Sequence, residues 1–112
     1  MADFNQIFND IKSQLGPLAE QNLKQFAAQG KQDAEAFLEQ SKANLQKWVQ
    51  QLANKEIDED EFRWLVESQK AAAEMVALRA VNAGTLQTEQ FRDSVLSVVV
   101  NTAVSAITKG QS

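Results

Sequence analysis

The sequence predicts an all-α protein, and three observations carry that prediction. Glycine and proline number only four and one in 112 residues, while Ala, Gln, Glu, Lys and Leu, all good helix formers, dominate. Large apolar residues recur at helical rather than alternating spacing. An explicit helix-start signal stands near the middle of the chain, around Asp58. The expected architecture is a long amphipathic helix, kinked or broken at Gly16-Pro17, followed by an αα-hairpin. These elements are expected to assemble as a helical-bundle homo-oligomer. Residues 1–112 form a single domain in this reading, since nothing in the sequence resembles a low-complexity linker.

The first element is expected over residues 3–53. Phe4, Leu15, Phe26, Phe37 and Trp48 lie on a ladder with a step of eleven residues. Eleven residues make three turns at about 3.67 residues per turn, close to the natural period, so these side chains share one face. Unbroken, such a helix would be roughly 75 Å long. Pro17 cannot donate to the carbonyl of Ser13, which predicts a kink or a fresh start there. The ladder keeps its phase across that site, which favours a kink or a short break over a sharp reversal. Gly30 and Ser41 belong to a second eleven-step series with Phe8, Ala19 and Leu52, where small side chains would admit a neighbouring helix.

The second element is expected over residues 59–83. Asp58 is a good N-cap and Glu61 completes a capping box, with Ile57 and Phe62 placed as a hydrophobic staple. Glu59, Asp60 and Glu61 load the first turn with the charge the helix dipole favours. Gly84 is a fitting C-terminal stop. Two apolar stripes run along this helix. Phe62, Leu65, Val66, Ala73, Val76 and Ala80 make one; Trp64, Ala71, Met75 and Leu78 lie almost opposite. The edge Arg63–Glu67–Lys70–Glu74 alternates in sign and reads as solvated. Two opposed stripes predict a helix sandwiched between neighbours.

The third element is expected over residues 86–108, capped by Thr85 or Thr88. Phe91, Val95, Val98 and Thr102 form one face, and Leu96, Val99, Val100, Ala103, Val104 and Ile107 cover most of the rest. A helix apolar nearly all round is a buried one. The Val98–Val100 run is β-prone, but helical phasing on both sides favours helix.

Composition excludes several function classes. A net charge of −4 argues against a nucleic-acid binder, which needs a basic surface to displace counterions. With no Cys, His or Tyr, disulfides, thiolate or imidazole metal sites and the usual nucleophile–base pairs are unavailable. The run Ile57–Phe62 imitates the exit of an EF-hand loop. Counting back, its first, third and sixth positions would be Gln50, Leu52 and Lys55, which supply neither carboxylates nor the turn glycine. No cofactor or metal is expected, and no enzymatic activity. The N-terminus lacks a basic-then-apolar signal pattern. Residues 94–108, the longest uncharged stretch, fall short of the roughly 20 a spanning helix needs. A cytoplasmic protein is expected.

The function expected from these features is that of a non-enzymatic interaction or scaffold protein acting as a homo-oligomer. The first helix would overhang a hairpin of about 35 Å, and the overhang, the outer stripe and the third helix would all need covering. A dimer or tetramer supplies that cover by symmetric packing. The expected interface takes Phe26, Phe37 and Trp48 from the first helix. It takes Trp64, Met75 and Leu78 from the outer stripe, and Val99, Val100 and Ile107 from the third helix. Another protein partner is possible in this reading. The alternative is a peripheral amphipathic protein coating a lipid or apolar polymer surface.

Overall fold

The computed structural model describes residues 3–69 and 74–110. Among the described residues there are five α-helices, α1 (Phe4–Leu23), α2 (Ala27–Ala53), α3 (Glu59–Glu67), α4 (Val76–Ala80) and α5 (Thr85–Gly110), and no strand. The chain is helical for about 50 residues from Phe4 to Ala53, as the ladder requires. It is not straight. A 3₁₀ turn at Lys24–Phe26 folds α1 back onto α2. A straight helix of that length would span about 75 Å, whereas the longest dimension of the molecule is 43 Å.

The antiparallel register of α1 and α2 is set by pairs that converge on the turn. Lys42 Nζ lies 5.0 Å from the centre of the Phe8 ring. Lys12 Nζ reaches Glu39 Oε1 at 3.4 Å. The Lys31 side chain passes Gly16, and Leu23 packs onto Gly30. α5 then lies along both helices. Gln14 Nε2 donates to Thr102 Oγ1 at 2.9 Å and Gln87 Nε2 to the Asn22 carbonyl at 3.0 Å, so α5 runs antiparallel to α1. α3 packs on α5 and α2, and α4 on α2. Together α3 and α4 return along the bundle in the place of a fourth helix.

Of the kink or break expected at Gly16-Pro17, the break does not occur, since Pro17 lies inside α1. Pro17 and Ser13 both sit on the exposed face, where water can satisfy the carbonyl the proline leaves free. Leu15 and Ala19 on the other face are fully buried and hold the helix through it. The reversal falls instead at Lys24, whose φ of 48° and ψ of −102° end α1. Neither glycine nor proline marks that position.

The helix expected over 59–83 is divided. α3 ends at Glu67, and Met75 takes the left-handed conformation (φ 55°, ψ 48°) immediately before α4. The physical reason lies in the two opposed stripes. A continuous helix cannot turn Phe62–Val66 and Met75–Leu78 into the same core. With the helix divided, Phe62, Val66, Met75 and Leu78 are all buried. The stripe members Ala71 and Ala73, and Lys70 of the charged edge, lie outside the described residues. The expected stop at Gly84 is also displaced. Asn82 takes the left-handed position (φ 57°), and the Ala83 N–H returns to the Leu78 carbonyl at 3.1 Å, the bond pattern of a Schellman end.

Other local signals correspond to the structure. Asp58 accepts from the Glu61 N–H at 2.8 Å, and Glu59, Asp60 and Glu61 occupy the first turn of α3. Lys55 closes α2 in the left-handed region, with the Glu56 N–H bonded to the Gln51 carbonyl at 2.8 Å. α5 is helical through Val98–Val100 and begins at Thr85. Thr88 lies buried inside α5, its hydroxyl without a partner, so it is no cap. Arg92 pairs with Asp93 at 3.3 Å.

Candidate interaction surface

The core is contained within one copy of the chain. Phe37, Met75, Leu78, Val99, Val100 and Ile107, all expected at an oligomer interface, are buried in it. Phe26 and Trp48 are half-buried against it. Their burial has one cause. With residues 4–53 folded into a hairpin no helix overhangs, and the apolar faces of α1 and α2 meet each other and α5.

Trp64 alone among the expected interface residues stands in solvent, at 68% exposure. Its position follows from the register of α3. Phe62 and Val66 point into the core, and Trp64, two residues from each, is turned about 200° away from both by the helical period. The neighbours it has on that outer surface are Asp60, Glu61, Glu67 and Ser68, three and four residues away.

Glu61 also borders a groove of about 460 Å³ at the end of the bundle. Leu52, Ile57, Val104 and Ile107 form its apolar lining, and the rim carries Glu56, Asp58, Glu59 and Glu61 against Lys55. Four carboxylates therefore face one ammonium. The C-terminus of α2 and the last turns of α5 arrive at the same end, where the helix dipoles add partial negative charge. Groove and Trp64 are joined through Glu61, one turn from the indole. The surface is apolar at its anchor and floor and acidic at its rim.

A second feature lies between α2 and α4. A cavity of about 240 Å³ is lined by Ala36, Phe37, Met75, Ala77 and Ala80, with Asp33 at its edge. Asp33 is buried, and both of its oxygens are engaged by backbone N–H groups of α4. Sequence reasoning missed this residue. The signal available was a charged residue in register with Gly30 and Phe37 on the buried face of α2.

Among the described residues no three acidic side chains lie close enough together to hold a metal ion, and no helix is long and apolar enough to cross a membrane. Comparison with protein-family models, with curated proteins and with solved structures finds no significant match.

Proposed function

We propose that this chain is a non-enzymatic helical interaction protein that receives a positively charged, amphipathic partner segment on the outer surface of α3. The observation that carries the reading is Trp64. A tryptophan 68% exposed suits an anchor that a partner covers, and tryptophan is enriched at binding hot spots. The carboxylates of Asp60, Glu61 and Glu67 around it favour Lys or Arg on the partner, and the indole face itself attracts such cations.

Self-association as a dimer or tetramer is a second form of the same reading, supported by a different patch. Val76 at 64%, Leu86 at 68% and Val81 are exposed around the connection from α4 to α5. A two-fold contact through α3 would set Glu61 near the partner's acids, so charge favours the α4–α5 patch for self-contact. Coating of a lipid or apolar polymer surface has a further requirement. The faces that would lie on that surface are the ones buried in the bundle, so the bundle would have to open.

Two measurements test this. Light scattering gives the mass in solution against 12.4 kDa for one chain. Titration with a designed helical peptide, Lys on one face and Leu on the other, is followed by tryptophan fluorescence. A blue shift is expected that weakens as salt is raised and is lost in Trp64→Ala. A matched peptide with Glu in place of Lys should not bind. Equal binding of both peptides, or full binding by Trp64→Ala, overturns the α3 reading. A mass several times 12.4 kDa that falls on Leu86→Lys supports self-association.

A further inference from the structure

We infer that α4 is a hinged flap, latched onto α2 by Asp33, which opens independently of the rest of the bundle and gates the apolar slot around Phe37. Five residues are too few to hold a helix by themselves. α4 has no capping side chain of its own, because its N-cap position is Met75. The cap comes from a distant element. Asp33 Oδ1 accepts from the Ala77 N–H at 2.8 Å and Oδ2 from the Leu78 N–H at 2.8 Å. One buried carboxylate on α2 thus satisfies two of the four donors that the start of any helix leaves open.

The remaining attachment is correspondingly local. α4 packs chiefly on α2, with Met75 and Leu78 as its buried side chains. Each end of the flap is a non-glycine residue in the left-handed region, Met75 at φ 55° and Asn82 at φ 57°. Such residues are held there by their surroundings and relax when those are removed. Two pivots, one latch and one cavity beneath make a unit able to swing without disturbing α1 or α5. Opening it uncovers Phe37 and releases both Asp33 oxygens to accept other donors. Nothing in this depends on what covers Trp64, which lies on α3.

Hydrogen exchange on the full chain, read by peptide segment, tests the flap. In the wild type, amides of residues 76–80 should exchange through an opening that leaves the amides of α1 and α5 protected. Asp33→Asn offers one acceptor oxygen and turns an NH₂ toward the other donor. It should raise exchange over 76–80 at least tenfold, with less than about a threefold change in α1 and α5. Asn82→Gly relieves the left-handed strain and should slow exchange in the same segment. A cavity-seeking dye such as anilinonaphthalene sulfonate should bind Asp33→Asn more than wild type at unchanged helix content. Uniform acceleration in every helix of Asp33→Asn makes Asp33 a general stability residue and overturns the proposal. So does wild-type exchange over 76–80 that proceeds only with global unfolding, a measurement that stands even if the variant does not fold.

Discussion

The three long helices and the α3–α4 pair solve the same burial problem in different ways. α1, α2 and α5 each keep large apolar residues in phase over twenty residues or more, so one regular helix buries them all. The chain between Asp58 and Asn82 carries its apolar residues on two opposed sides, and it buries both with two separate helices, α3 ending at Glu67 and α4 beginning at Val76. A continuous stripe yields a long helix with cooperative packing. Opposed stripes yield short pieces that dock one by one. Substitutions should therefore be costly and global in the first region, and smaller or local in the second.

The largest effect is expected at Phe91. Its ring is fully buried and lies against Gly30, where α2 meets the end of α1. Phe91→Ala should lower unfolding free energy by about 3–5 kcal/mol, measured by urea titration with ellipticity and fluorescence as probes. The two transitions should coincide, because the three long helices share one core. Separate transitions would show that α5 leaves the bundle by itself, and the contrast between the regions would then be drawn in the wrong place.

Gly30→Ala comes next. A Cβ there would overlap Leu23 Cδ1 and stand 3.3 Å from the Phe91 ring. Leu23 and Phe91 are both buried, so neither yields freely, and overpacking of this kind costs about 1–3 kcal/mol. The gain in helix propensity from replacing glycine is about 1 kcal/mol, which leaves a net loss. In the Phe91→Ala background the loss should shrink, because the two residues share one site. Additive losses would mean that Leu23 alone resists the new methyl group.

These two positions also mark how far the sequence could be read. The helix start at Asp58 was legible, and so was the apolar ladder that places Leu15 and Phe37 in the core, whereas the cap that Asp33 supplies to α4 was not. The small-residue step at Gly30 was visible as a point of close approach. The reversal at Lys24 was not. Periodicity reports which face is apolar and is blind to whether the next helix continues or folds back, since both keep the phase. Lys24, Lys55, Met75 and Asn82 make the left-handed turns, and lysine and methionine carry no turn signature. The hairpin geometry then decides which surface is free. That is why Trp64 stayed on the surface while Phe37, Met75 and Val99 went to the core of a single chain.

Two smaller effects of opposite sign sharpen the comparison. Asp58→Ala removes the acceptor of the Glu61 N–H and should cost about 1 kcal/mol. The loss should concentrate in α3, seen as faster exchange over residues 59–67. Ser41→Ala lies in the long-helix region and should be neutral or stabilising by a few tenths of a kcal/mol. Its hydroxyl is buried with no partner, so the serine contributes desolvation cost without a compensating bond. A loss above about 1 kcal/mol in Ser41→Ala would reveal a partner for that hydroxyl, such as an internal water.

The smallest expected effect on stability belongs to the residue with the largest expected effect on binding. Trp64 is mostly in solvent. Its removal should change unfolding free energy by no more than about 0.5 kcal/mol in either direction, as for other exposed positions. Trp64→Ser tests this without adding apolar surface. Unchanged stability together with lost peptide binding separates an anchor from a packing residue, because tryptophan that serves the core loses several kcal/mol on truncation. A drop of that size would place the indole against its own chain, and α3 would then lack the exposed anchor on which partner recognition is built.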